Sequence, residues 1–177
     1  MDISKYIATD IRKTYRNLVK GLITEGKTLK TDTWNETMTD YPIEADKYIE
    51  LDEERVRKAR KLGYDVVSGD IRKLPFKDNS FDNVVDLSTI DHIIDYEVAL
   101  KEYSRVLVAG GKLLVIVWLD KDRERRLEEW GGYQYWFPEE EFVRKLPFKI
   151  IDEYAPLVAD IDSYLKLFYC ENGLDIS

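Results

Sequence analysis

Carboxylate and hydroxyl side chains recur in this chain directly after short apolar runs that read as β-strands. Glu50 and Leu51 close the run from Lys47 to Leu51, Asp70 and Ile71 follow the run from Asp65 to Ser68, and Ser88 with Thr89 follows Asn83 to Leu87. In an open parallel α/β sheet the carboxyl ends of the strands border the crevice where ligands bind. These residues would therefore line a small-molecule site, and carboxylates suit it because each oxygen can accept from hydroxyl or amino groups. The only histidine, His92, lies beside Asp91 just past the fourth strand, where either could take a proton from a bound nucleophile. An earlier run, Thr28 to Asp32, brings Thr31 and Asp32 to the same edge. It leads into Thr33-Trp34-Asn35-Glu36 rather than a glycine-rich turn.

Each of these residues also has a plainer role open to it. Asp52 would cap the helix that follows strand two, Asp70 would start a turn, and Asp91 would cap a following helix. Trp118, Trp130, Tyr133, Tyr135 and Trp136 cluster beyond the fifth strand, either as a wall for a planar acceptor or as cover for the sheet edge.

The elements that must position these groups alternate strand and helix. Apolar residues at Ile7, Ile11, Leu18 and Leu22 keep helical spacing, which predicts an amphipathic helix from Lys5 to Ile23. Thr33 with Glu36 three places on has the form of a capping box that would start a helix at Trp34, with its free N–H groups aimed at a ligand, and Pro42 would stop it. A charged helix is predicted over Glu53 to Leu62, closed by Gly63, and another over Tyr96 to Leu107. Ala109-Gly110-Gly111 would turn the chain into strand five, Lys112 to Leu119, and Asp120 to Glu129 reads as a charged connector. Pro138 would open a last helix, with Phe148 to Tyr154 and Tyr164 to Cys170 as two adjacent final strands. With no repeat or linker, the 177 residues are expected to form one domain.

Composition narrows the partners. Twenty-seven basic against thirty-five acidic side chains leave a net charge of −8, which repels a phosphate backbone, so no nucleic-acid partner is expected. A single cysteine excludes an internal disulfide and a cysteine-based structural metal site, and a cytoplasmic setting is the expectation. No apolar run approaches the ~18 residues of a membrane span, and Met1 to Lys5 lacks the layout of a signal peptide. No metal is expected, and the oligomeric state is left open.

The stretch Gly69-Asp70-Ile71-Arg72-Lys73-Leu74-Pro75-Phe76, running on through Asp78-Asn79-Ser80-Phe81-Asp82, and the later Arg105-Val106-Leu107-Val108-Ala109-Gly110-Gly111 carry a resemblance. Together they resemble the class I S-adenosylmethionine-dependent methyltransferases, most closely the small type 11 branch. The resemblance implies a three-layer Rossmann-like fold: seven strands, mostly parallel, the last antiparallel beside the fifth, with helices on both faces. It implies S-adenosylmethionine as cofactor, S-adenosylhomocysteine as product and a small-molecule acceptor. Glu50, with Leu51 beside it, matches the acid on the ribose hydroxyls; Asp70 and Ile71 match the adenine contacts; Ser88 and Thr89 match the lining of the methionine portion. Thr31, Asp32 and Asn35 fall in the strand-one loop, and Asp91 or His92 would be the base. At strand one this chain departs from the family: Lys30 stands in place of its acid, and Asp32, Trp34 and Glu36 in place of its three glycines. A domain of this fold that binds partners without cofactor is the rival expectation.

Overall fold

The computed structural model describes residues 3–121, 125–129, 132–159 and 163–173. Its elements run α1 (Ile3–Leu22), β1 (Thr28–Lys30), α2 (Trp34–Met38), β2 (Lys47–Glu50), α3 (Glu53–Lys61), β3 (Val66–Ser68), β4 (Phe81–Leu87), a 3-10 turn (Ile90–His92), α4 (Tyr96–Val106), β5 (Leu107–Asp120), β6 (Arg125–Glu129), β7 (Gly132–Pro138), α5 (Glu139–Lys145), β8 (Phe148–Ala159) and β9 (Ser163–Asn172). Trp130 falls outside the described residues, and so do the side chains of Ile7 and Ile11.

The sheet runs β3-β2-β1-β4-β5 in parallel, and β9 then lies antiparallel against β5 and carries β8 on its far side. This is the expected seven-strand order with its antiparallel last strand. The segment read as a charged connector, Asp120 to Glu129, holds a strand: Arg125–Glu129 pairs with Gly132–Pro138 in an antiparallel hairpin whose second strand joins the end of β5 at Leu119 and Asp120. The charges of Arg125–Glu129 concealed the first strand, because a hairpin at the rim of a sheet need not show the apolar run of a central strand.

Side chains alternate across the sheet, and the two faces hold separate cores. Leu29, Val84, Leu113, Val115 and Phe168 pack under α4, through Ala99, Leu100, Tyr103 and Val106, and under Phe142 of α5. On the other face Val85, Leu114, Ile116 and Leu167 meet Tyr15 and Val19 of α1, while Tyr48 and Val66 meet Val56 and Ala59 of α3. Central strands covered on both faces are apolar throughout, and each large aliphatic so buried contributes about 1.5–3 kcal/mol.

Local chemistry sets the boundaries. The Asp52 carboxylate accepts from the Arg55 N–H (2.8 Å) and starts α3. That helix ends where Gly63, at φ 94°, donates to Arg60 O while Tyr64 N donates to Ala59 O. The expected turn at Ala109-Gly110-Gly111 lies inside β5: at φ 76°, Gly110 lets the register jump between Phe81↔Leu107 and Asn83↔Lys112.

Candidate active site at the carboxyl edge of the sheet

β1 ends two residues sooner than expected, at Lys30, and the chain then folds back over its own end. The Lys30 side chain is wholly buried, and its Nζ donates to Asp32 Oδ1 (2.9 Å), the Asp32 carbonyl (3.0 Å) and Glu36 Oε2 (3.2 Å). Burial pulls the Lys30 pKa down, but the two facing carboxylates outweigh it and hold it above its ordinary value. Burial also opposes ionisation of Asp32, and the Lys30 ammonium overcomes it and holds that pKa low. Glu36 goes the other way, raised by burial in spite of Lys30. The expected capping box does not form. Glu36 Oε1 accepts from Ile43 N (2.9 Å) and Asp32 Oδ1 takes the Trp34 N–H (2.7 Å), because the buried Lys30 ammonium draws both acids to itself. The Trp34 amide expected to aim at a ligand is thus already bonded, as is Thr33 N.

Glu50, at the end of β2, is 3% exposed. Its Oε2 accepts from Thr33 N, Thr33 Oγ1 and Arg55 Nε, each at 3.0 Å, and its Oε1 from Asp52 N (2.9 Å) and Arg55 Nη2 (3.0 Å). Leu51 beside it is exposed. Past β3, Asp70 accepts from Arg72 through N, Nε and Nη2, and those bonds hold its pKa below the usual carboxylate range. Ile71 is buried in the core behind it.

At the end of β4, Ser88 adopts φ 64°, a left-handed conformation uncommon for a side chain with a Cβ. Its hydroxyl donates to Asp91 Oδ2 (2.7 Å), which also accepts the Trp118 N–H of β5 (3.0 Å). Asp91 is fully buried, and burial raises its pKa. His92 is more than half exposed, with Nδ1 2.9 Å from the Tyr133 carbonyl of β7. Thr31 donates to Thr89 (3.3 Å), which donates to Asp32 Oδ2 (3.0 Å), tying β1 to β4. Asn35 is buried in α2. Of the aromatic cluster, Trp118 faces Trp136 at 6.3 Å between ring centres and Tyr133 faces Tyr135 at 6.0 Å.

The fold therefore gathers Thr31, Asp32, Glu50, Asp70, Ser88, Thr89, Asp91 and His92 along one edge. Three participants escaped the sequence reading. Arg55 was legible only as a charge in the first turn of α3. Lys30 read as a misfit rather than as the centre of an ion-pair cluster. Asp86, buried in β4, bonds the Thr89 and Ile90 amides and the Tyr103 hydroxyl (2.6 Å), and burial pushes its pKa up to about 7. Aspartate within an apolar strand was the signal for it. Among the described residues no helix is long and apolar enough to cross a membrane, and no group of three or more His, Cys, Asp or Glu could hold a metal ion.

Comparison with known proteins places this arrangement. A probable tRNA methyltransferase 9B of Mus musculus is 38% identical over 77 residues, which is 42% of this chain and 17% of that protein. The demethylmenaquinone methyltransferase of Staphylococcus haemolyticus is 47% identical over 51 residues, 29% of this chain and 21% of that protein. The chain thus spans well under half the length of these relatives. In structure it is similar to the Burkholderia thailandensis 1,6-didemethyltoxoflavin-N1-methyltransferase, solved with 1,6-didemethyltoxoflavin and S-adenosylhomocysteine. The TM-score is 0.70 at 18% identity, over 97% of this chain and 81% of that one, a likeness of fold. The profile of the methyltransferase domain matches residues 4–115, well over half of the chain, which belongs to that family.

Proposed function

We propose that the chain transfers a methyl group from S-adenosylmethionine to a small-molecule nucleophile. The reading rests on the acids Asp32, Glu50 and Asp70 closing β1, β2 and β3 at one edge, with Ser88 and Thr89 closing β4. The residues fit the cofactor chemically. Glu50 would take the ribose hydroxyls, and Asp70 with Ile71 the adenine. Lys30 does not present a bare cation at the end of β1, because its buried ammonium is paired with Asp32 and Glu36. Thr31, Asn35 of α2 and Leu51 would complete the surroundings of the cofactor.

S-adenosylmethionine supplies an electrophilic methyl group, and the chain's own contribution is then largely positioning and proton removal. Of the two candidate bases His92 fits better. Its Nδ1–H donates to the Tyr133 carbonyl, which leaves Nε2 as the basic nitrogen on an exposed ring. Asp91 serves instead as a buried brace between Ser88 and Trp118. A small acceptor fits the aromatic hairpin and the net charge of −8, which disfavours a nucleic-acid acceptor such as the one named for the mouse relative. A cytoplasmic setting accompanies this reading.

The five donors on Glu50 favour a second reading, a binding domain without cofactor. Calorimetric titration with S-adenosylmethionine and S-adenosylhomocysteine separates the two. Saturable heat that disappears in Asp70→Ala supports the enzyme; silence at about 1 mM ligand, a concentration that would reveal even millimolar affinity, supports the binding domain.

A further inference from the structure

The Glu50 carboxylate offers about four lone-pair positions, and five donors crowd them. Two, Thr33 N and Asp52 N, are backbone groups held by their loops, and Thr33 Oγ1 belongs to a buried side chain. The other two belong to the Arg55 guanidinium, which ends a long side chain that is 38% exposed. Nε meets one carboxylate oxygen and Nη2 the other, in parallel. A ribose with vicinal hydroxyls presents the same pattern, two parallel donors to two oxygens of one carboxylate.

A second position for the guanidinium lies beside it. Between α2 and α3 a cavity of about 340 Å³ is lined by Trp34, Met38, Asp52, Glu54 and Lys58 as well as by Arg55. Asp52 already attracts the guanidinium, Glu54 adds a second carboxylate that offsets the Lys58 cation there, and the Trp34 ring lines the same cavity. Leaving Glu50 therefore does not strand the charge.

We infer that Arg55 is a gate on the nucleoside site, standing in for a vicinal diol on Glu50 and swinging toward Asp52 and Glu54 when a ribosyl ligand takes its place. The inference rests on the methyltransferase reading above and adds a regulated affinity to it. Binding is weakened by the strength of the ion pair that must open, and removal of the guanidinium should release that cost. Among the described residues the Arg55 guanidinium hydrogen-bonds to Glu50 alone, so its removal leaves the Thr33 and Asp52 bonds to Glu50 in place.

The test is calorimetric titration of S-adenosylhomocysteine into the wild-type chain, Arg55→Ala and Arg55→Gln, with thermal melts to establish that each is folded. The gate predicts binding about tenfold tighter in Arg55→Ala, the equivalent of one opened charge-assisted pair. Arg55→Gln, the milder change should the alanine variant fail to fold, should lie between the two. Binding seen only in the variants supports the gate equally. Wild-type binding that neither folded variant exceeds overturns the gate and leaves the methyltransferase reading standing. Absence of binding in all three overturns both.

Discussion

Thr89 and Asp32 meet across the gap between β4 and β1, the threonine hydroxyl donating to Asp32 Oδ2 at 3.0 Å while Asp32 Oδ1 holds the Lys30 ammonium. One carboxylate thus joins a buried cation, a neighbouring strand and the first amide of α2. The glycine-free loop is organised by this ion rather than by backbone freedom, and its stability follows from charge pairing.

Lys30→Met should therefore destabilise the chain by about 3–5 kcal/mol, the cost of leaving buried carboxylates without their cation. Urea denaturation checks it. The double variant Lys30→Met with Glu36→Gln should recover part of the loss; a double variant as weak as the single one would show that charge was not the cause.

Asp86 makes stability depend on pH. Its pKa rises from the ordinary 3.8 to about 7 in the fold because burial disfavours the anion. A raised folded pKa means that its contribution is complete below about pH 3.8 and is lost as pH rises toward 7. The loss over that window is on the order of 4 kcal/mol. Asp86→Asn mimics the neutral acid, with Nδ2 donating to the Tyr103 hydroxyl oxygen. Its unfolding midpoints between pH 4 and 7 should lie on a flatter line than the wild type's.

His92 and Asp91 should separate catalysis from stability. For an acceptor that must lose a proton, His92→Ala should lower kcat by about 10²–10⁴ with the affinity for S-adenosylhomocysteine and the melting temperature unchanged. Asp91→Ala should instead cost about 1–3 kcal/mol of stability, since the Trp118 N–H, bonded to this buried carboxylate, loses its acceptor. A stable Asp91→Ala with a large kcat loss would reverse the two assignments.

Ser88 offers a test of backbone strain. Ser88→Gly and Ser88→Ala both lose the bond to Asp91, so their difference isolates the φ of 64°. Glycine should be the more stable by about 1–2 kcal/mol, measured by chemical denaturation. Equal stabilities would mean that the loop relaxes to an ordinary conformation.

Much of the site could be read from one dimension because short apolar runs and the acids that end them are local features. Glu50, Asp70, Ser88 and Thr89 sit where the strand pattern put them, and α3 is bounded by the Asp52 carboxylate at one end and by the positive φ of Gly63 at the other. Long-range pairing is where that reading stopped. Nothing near Thr33 indicates that its hydroxyl belongs to Glu50, seventeen residues on, rather than to its own helix. Lys30 looked foreign in a central strand until Glu36 arrived from α2. The β6–β7 hairpin is concealed for a related reason: its partner is the rim of β5, and rim strands need no apolar signature.

The place of β9 bears on how the chain is made. The outer edge of β5 is filled from Lys112 to Asp120 by residues that leave the ribosome some fifty positions later, so a nascent chain passes through a stage in which its longest apolar strand has an open side. Such an edge recruits foreign strands, and insertion of a distant segment is slow relative to local helix formation. Protein stopped before Ser163 should accumulate in inclusion bodies, and slowing synthesis by lowering the growth temperature should raise the soluble yield of the whole chain.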